Sequence, residues 1–523
     1  MNFTPSHKIY SRWASEEEIK SSLYKISLNG ETPEYGGIPL FADFNSIYVE
    51  HSDSHTMMMG STGSKKTRLF AMPSILLYAR AGESFIVTDP KAELYEKTLP
   101  FLKEKGYHVF ILNLRDPKQS NCWNPLLVPY FLYHNNQRDK AIELVNDMSD
   151  CIMQDECATN SYWKKSSSNL LSGLIFTLFE CADKKEINFK SLRALRTQAF
   201  KLYGLDDKTF IKEYFLNYIN KASFIFSLLS GTTDVCNETR SCIISEFDRE
   251  MQPFFCQNNL INMLSDNELD MGLIGKEKTA VFLIIPDENT LYHRLISVFV
   301  KQCYTELIIE AQKQPLKKLP NRVNFLLDEF SSLPKIKDFP AMITASRSRN
   351  IRFNLIIQSL NQLVKQYGVE AETIKGNCEN WIYLHSREKS LLEELIFLAG
   401  KKNSEESLIT SSFLQTLSKD NGEAFILHKR IHPFISNLPD IANYPDVLPS
   451  NTFISYPENT RNTKAVFDFE NFCKEKSGFF LSQLFSGKSM EEIKKICDEG
   501  DEEYYMNTND ISLEPFYTSN VSE

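Results

Sequence analysis

The 523-residue chain is 42% hydrophobic and 12% aromatic, with 37 Phe and only 19 Gly, which excludes wholesale disorder, collagen-like repeats and low-complexity tracts. Its 58 basic and 68 acidic residues give a net charge of −10, which at first sight speaks against nucleic acid. Eleven scattered cysteines with no Cys-x-x-Cys pair fit a reducing compartment and offer no zinc-site spacing.

Residues 1–50 carry no apolar stretch behind their charges, so they read as an N-terminal segment without a secretory signal or a transmembrane helix. The best apolar run, Ala280–Pro286, is far too short to span a bilayer and reads as a buried strand. A cytosolic chain is expected, with membrane contact only through a partner.

From about residue 54, short apolar runs alternate with longer amphipathic stretches, the pattern of an α/β sheet wrapped by helices. Predicted strands are His55–Met59, Ser84–Thr88, His108–Asn113, Thr279–Ile285, Val323–Leu327, Phe353–Gln358, Asn380–His385 and Glu423–His428. Several are apolar throughout, as strands buried on both faces must be. Residues 141–270 read instead as an all-helical insertion, with helical spacing in Tyr162–Glu180 and Phe210–Leu229. The sheet domain is therefore discontinuous, 51–140 and 271–440, followed by a Pro- and Asn-rich linker or wrap over 441–490. Residues 491–523 hold ten acids against Lys494 and Lys495, so the tail carries −8 and the body is nearly neutral.

The sharpest motif is Gly60-Ser61-Thr62-Gly63-Ser64-Lys65-Lys66-Thr67, between an apolar strand and a helix-compatible stretch. Strand, Gly-rich loop, Lys-Thr and helix is the context of a nucleotide phosphate loop. Backbone N–H groups would face the phosphates, Lys66 would reach the terminal ones, and the Thr67 hydroxyl would hold Mg²⁺. Lys65 stands where the pattern asks for its last Gly, and a side chain in that tight turn costs about 1–3 kcal/mol. The alternatives are a chance Gly/Ser turn and a loop that has lost nucleotide.

The predicted strand Val323–Leu327 ends in Asp328-Glu329. In motor-type ATPases the first such acid lies in the Mg²⁺ shell and the second polarises the attacking water. Gln358 ends another apolar strand, placed to sense a γ-phosphate or simply to lie on the surface. Arg347 and Arg349, in the run Ser346–Arg352, suit an arginine finger for a neighbouring subunit or a solvated helix end. Residues 311–352 hold nine Lys or Arg and three acids, a basic stretch open to phosphates of nucleotide or nucleic acid, or to solvent.

Over residues 10–445 these blocks resemble the type IV secretion coupling proteins, the conjugative DNA-transfer ATPases. Tyr10-Ser11-Arg12-Trp13-Ala14 looks like the stretch ahead of that family's motor. Asp89-Pro90-Lys91-Ala92-Glu93-Leu94 is similar to its DPKGEL segment, with Ala92 for Gly. Ser120 to Leu126 looks like its S-x-x-WNPL block, and Asp328-Glu329, the arginine run, Ile356–Ser359, Gly422–Phe425 and His432-Pro433 follow in the family's order.

The resemblance implies a RecA-like P-loop motor with a mainly parallel sheet, an inserted all-helical domain tied to substrate recognition, and a ring, expected as a hexamer. It also implies ATP and Mg²⁺, single-stranded DNA with relaxase-type protein cargo, and a bacterial secretion channel as partner. The family's N-terminal transmembrane helices have no counterpart here, so a separate membrane protein is expected as tether. The first reading is a coupling ATPase in which Lys66, Glu329, Gln358, Arg347 and Arg349 serve catalysis, residues 60–67 hold nucleotide, and Thr67 and Asp328 hold the metal. The second is a non-hydrolysing relative that recruits cargo through an impaired loop, and a generic P-loop kinase is a distant third. The acidic tail is read as a solubiliser or as a docking arm for basic cargo.

Overall fold

The computed structural model describes residues 10–28, 32–153, 161–203, 208–216, 223–286, 292–446, 454–458 and 465–475; the acidic tail lies outside them. Its strands in chain order are β1 (Tyr24–Ser27), β2 (Ile38–Asp43), β3 (Ser46–Glu50), β4 (His55–Gly60), β5 (Ser84–Thr88), β6 (His108–Asn113) and β7 (Leu202–Tyr203). They continue with β8 (Lys208–Thr209), β9 (Thr279–Ile284), β10 (Val323–Leu327), β11 (Ile351–Ile357), β12 (Cys378–His385), β13 (Glu423–His428) and β14 (Phe434–Asn437).

Nine strands form one sheet in the order β14-β13-β12-β4-β11-β10-β5-β9-β6. Strands β12 through β6 are parallel, and β13 and β14 close one edge antiparallel. Every residue of β4, β5, β9, β10 and β11 is buried, which is why they read as largely apolar runs, with polar residues such as Asn324 and Arg352 paired inside them. All eight predicted strands are present. The parallel order brings the last residues of β4, β11, β10 and β5 to one edge of the sheet, where the candidate chemistry gathers.

Three features escaped the sequence. Strand β14 is four residues long, and β1, β3 and β2 form a separate antiparallel sheet within residues 1–50. Such short strands, one interrupted by Pro39, leave little periodicity to read. The third is the ribbon β7–β8 inside the stretch expected to be all-helical, two residues per strand. The rest of that stretch is largely helical, with Ser161–Cys181 and Asn237–Cys256 its longest helices. Among the described residues no helix is long and apolar enough to cross a membrane.

By contacts along the chain, the described residues of 1–196 and 222–467 form one compact unit, and those of 197–221 and 468–475 another. In the second, Phe210 and Phe215 pack on Phe469 and Lys201 pairs with Glu470. In the first, Ile26, Leu40, Ile47 and Val49 of the small sheet share a core with the helix Met72–Ala81 that follows the phosphate loop. Gly37 has no room for a side chain, since a Cβ would stand 2.2 Å from the Glu50 carbonyl oxygen.

The opposite edge of the large sheet is closed by buried charge. Arg352 is 2% exposed and its Nη2 donates to both carboxylate oxygens of Glu83, at 3.1 and 3.0 Å. The same carboxylate accepts from Asn324 Nδ2 at 2.9 Å and from the Gly36 N–H at 3.1 Å. Asn324 lies opposite Arg352 in the β10–β11 register, so one polar row crosses three strands. Removing one partner of a buried pair strands the other charge in low dielectric. Glu83→Ala is therefore expected to lower the unfolding free energy by about 3–5 kcal/mol in urea denaturation followed by circular dichroism, and a loss under about 1 kcal/mol would contradict this assignment.

Candidate nucleotide site

Strand β4 ends at Gly60, the loop turns through residue 66, and a single π-helical turn (Thr67–Ala71) leads into the helix Met72–Ala81. A Cβ on Gly60 would stand 2.5 Å from Ser64 Oγ and push that hydroxyl off the turn. Gly63 and Lys65 both lie in the left-handed region, at φ +80° and +64°. Ser64 Oγ donates to the Ser61 carbonyl at 2.8 Å and holds the turn closed. The Lys66 ammonium, 9% exposed, curls over the loop and donates to the Gly60 carbonyl at 2.6 Å. Burial lowers its pKa, and the charges of Asp328 and Glu329 push the other way.

Those two carboxylates follow β10, two strands from β4, with β11 between. Gln358, directly after β11, bridges the gap: its Nε2 donates to Glu329 Oε1 at 2.8 Å, and its Oε1 accepts from Thr62 Oγ1 at 3.3 Å. Loop, amide and carboxylate thus form one hydrogen-bonded line. Glu329 sits at φ +55°, a left-handed conformation that costs a non-glycine residue about 1 kcal/mol or more. Asp328 Oδ1 accepts the Glu329 N–H at 2.9 Å, and its carbonyl accepts from Thr88 Oγ1 at 2.9 Å.

The structure does not bring Arg347 and Arg349 to this place. They precede the first residue of β11, whereas the loop lies beyond the last residues of the same sheet, about 20 Å away at 3.3 Å per residue. Arg347 is held by Glu379 at 2.8 Å and by the Asp53 carbonyl, and Arg349 by the Lys317 carbonyl. The basic stretch 311–352 is likewise neutralised within the chain. Lys313, Lys318, Arg322, Lys335, Lys337, Arg347 and Arg352 all pair with acids. Most of those acids come from distant segments, which a local charge count cannot see.

Five residues at this edge of the sheet, His385, Asp420, Arg68, Asp440 and Asp89, were assigned no role by sequence reasoning. The Ser61 N–H donates to the His385 carbonyl at 2.8 Å, and Lys65 Nζ pairs with Asp420 at 3.1 Å. Arg68, one residue past Thr67, makes a two-point ion pair with Asp440, Nε to Oδ2 at 2.8 Å. Asp89 ends β5 as Asp328 ends β10, so the same signal, an acid closing an apolar strand, marks it. It is 2% exposed, and burial pushes its carboxyl up to about 7; the Tyr95 and Leu94 N–H groups oppose the shift and the Asp328 charge adds to it.

A family model described as "Type IV secretory system Conjugative DNA transfer" matches residues 12–424. The chain belongs to that family. Protein VirD4 of Rhizobium radiobacter is 22% identical over 366 residues, 69% of this chain and 50% of VirD4. The conjugal transfer protein TraG of Escherichia coli is 22% identical over 436 residues, 78% of this chain and 66% of TraG. The chain thus spans from half to about two thirds of the length of these curated relatives. The plasmid coupling protein TrwB, solved in complex with ADP and Mg²⁺, superposes with a TM-score of 0.57 at 14% identity, covering 84% of this chain and 96% of that one. The fold is accordingly the RecA-like α/β P-loop motor fold with added helices.

Within this conjugative-transfer family the two Gly-to-side-chain departures noted in the sequence fall on left-handed backbone: Lys65 at φ +64° and Ala92 at φ +60°. Ala92→Gly relieves about 1–2 kcal/mol of left-handed strain and adds about 0.5–1 kcal/mol of chain entropy to the unfolded state. A net gain of about 0.5–1 kcal/mol in chemical denaturation is expected. Asp89 supplies a second test. A carboxyl raised by folding, from about 3.9 to about 7, destabilises the folded state progressively as pH rises through that window. The stability of wild type relative to Asp89→Asn should fall between about pH 4 and pH 7 and stay level above it; a difference flat with pH would refute the buried acid.

Proposed function

We propose that the chain is a coupling ATPase that recruits single-stranded DNA with relaxase-type protein to a type IV secretion channel and drives transfer by Mg·ATP hydrolysis. The observation that carries this reading is the line Thr62–Gln358–Glu329, which ties the phosphate loop to a carboxylate two strands away. Family membership supports it, as does the fold shared with a protein solved with ADP and Mg²⁺.

The residues present fit a metal–triphosphate. The loop opens a helix whose first N–H groups lack intrahelical partners, the Cβ side of Gly63 faces open space, and an ammonium, a hydroxyl and two carboxylates converge on one edge. Residues 60–67 would cradle the phosphates, with Lys66 exchanging the Gly60 carbonyl for a terminal phosphate oxygen. Thr67 and Asp328 would hold Mg²⁺, which supplies charge neutralisation on the phosphates. Glu329 would take the proton of the attacking water, held in aim by Gln358, whose amide would report the state of the loop through Thr62. Arg347 and Arg349 lie at the wrong edge to serve their own site, so their catalytic role requires a neighbouring subunit in a hexameric ring. Docking at the inner face of the bacterial membrane would run through a separate membrane protein.

The test is ATP turnover by the purified chain with and without single-stranded DNA. Lys66→Ala and Glu329→Gln should each lower turnover by about a hundredfold or more, with ATP binding retained in Glu329→Gln. Turnover within about twofold of wild type in Glu329→Gln would overturn its role as base. An inactive wild type whose Lys65→Gly variant turns over ATP would mark a cargo-recruiting relative with an impaired loop instead.

A further inference from the structure

The turn that follows β12, residues 385–388, lies beside the phosphate loop and outside the line Thr62–Gln358–Glu329. His385 pairs with Gly60 in the β12–β4 register, its carbonyl accepts the Ser61 N–H at 2.8 Å, and its Nδ1 lies 3.3 Å from Ser61 Oγ. At the other end of the turn, the Glu388 carboxylate accepts the N–H groups of Leu360 and Asn361, at 3.0 and 2.8 Å. Those two residues open the helix Leu360–Tyr367, just past Gln358 and Ser359. The turn therefore links the phosphate loop to the segment of Gln358, the amide that accepts from Thr62.

The middle of the turn is fixed by a buried hydroxyl. Tyr383 Oη donates to the Ser386 carbonyl and accepts the Ser386 N–H, each at 2.9 Å, and Ser386 Oγ accepts the Glu388 N–H at 3.1 Å. None of these bonds uses the side chain of Arg387. It is exposed, and its guanidinium makes no hydrogen bond or ion pair among the described residues.

The cations of the loop itself are engaged. Lys65 is taken by Asp420 and Arg68 by Asp440, which leaves Lys66 as the ammonium for the phosphates. A metal-bound triphosphate is still an anion, and here it would lie beside two carboxylates, Asp328 and Glu329. A second countercharge is called for, and Arg387 stands within reach. Adjacent strands are about 4.8 Å apart and two residues span at most about 7 Å, so the Arg387 Cα lies within about 12 Å of the Gly60 Cα. Arg347 and Arg349 precede β11 at the opposite edge.

We propose, resting on the coupling-ATPase reading above, that Arg387 is a further nucleotide-binding residue: its guanidinium holds the terminal phosphate of ATP at the loop of its own chain and so separates ATP from ADP. The planar fork of an arginine takes two phosphate oxygens at once. Because the same turn is bonded to the segment after Gln358, the contact also couples β12 to Gln358 when the third phosphate is present.

The test is the affinity of the full chain, in Mg²⁺, for ADP and for the non-hydrolysable β,γ-imido analogue of ATP, measured by calorimetry. Arg387→Gln is expected to weaken the imido analogue about tenfold or more and to leave ADP within about twofold, with Arg387→Lys in between. The retained ADP affinity shows that the variant is folded. Lys389→Gln removes the same charge two residues further on, from an exposed side chain, and should leave both affinities within about twofold. Equal affinity of wild type and Arg387→Gln for the imido analogue overturns the proposal, even if turnover falls. Equal weakening of the two nucleotides, or by the two glutamine variants, overturns it as well. A wild type that binds neither nucleotide would overturn the coupling-ATPase reading, and this assignment with it.

Discussion

The row Glu83–Asn324–Arg352 is the constraint on which the rest of the molecule depends. It spans the starts of β5, β10 and β11, and because these strands are parallel and hydrogen-bonded residue to residue, fixing one edge fixes the other. Asp89, Asp328 and Gln358 stand four to six residues further along the same three strands. A slip of one residue in any of them would turn each side chain to the opposite face and dissolve the line from Thr62 to Glu329. A fully buried ion pair contributes little net stability compared with apolar side chains of the same size. What it supplies here is register, and register is what a site assembled from three strand ends requires.

At the other edge the loop is held from several sides. Lys66 is satisfied by the loop's own carbonyls, Lys65 and Arg68 by acids that come after β12, and Ser61 by the end of β12 itself. Left-handed residues cluster here too: Gly63, Lys65, Ala92 and Glu329. Non-glycine residues persist in that conformation only where their surroundings over-determine it. The ion pairs of Lys65 and Arg68 to Asp420 and Asp440 are that over-determination for the loop.

The large sheet was legible because doubly buried strands write themselves as largely apolar runs, as residues 57–59, 85–87, 280–284 and 325–327 do in β4, β5, β9 and β10. The phosphate loop was legible because glycine spacing reports backbone geometry directly, and the departure at Lys65 pointed to a strained turn for the same reason. The small N-terminal sheet and β14 were not, since β1 and β14 are only four residues long and β2 is broken by Pro39 and a bulge. Asp89 was in view as part of a segment but without a role, because burial is a property of three dimensions. The arginines illustrate the limit most sharply. Arg347 and Gln358 lie eleven positions apart in the chain and yet at opposite ends of one strand, and only the direction of that strand separates a residue at the site from one behind it.

The neutralised basic stretch changes what kind of contact a polyanion can make with this face. Where cations stand free, binding a phosphate backbone releases condensed counterions and the affinity falls steeply with salt. Here seven of nine Lys and Arg in residues 311–352 already hold carboxylates. Arg352 is buried out of reach, and at the others a phosphate would have to displace an acid side chain rather than a sodium ion, an exchange between two anions. Any polyanion contact made through this stretch would therefore depend less steeply on ionic strength than its count of nine cations suggests.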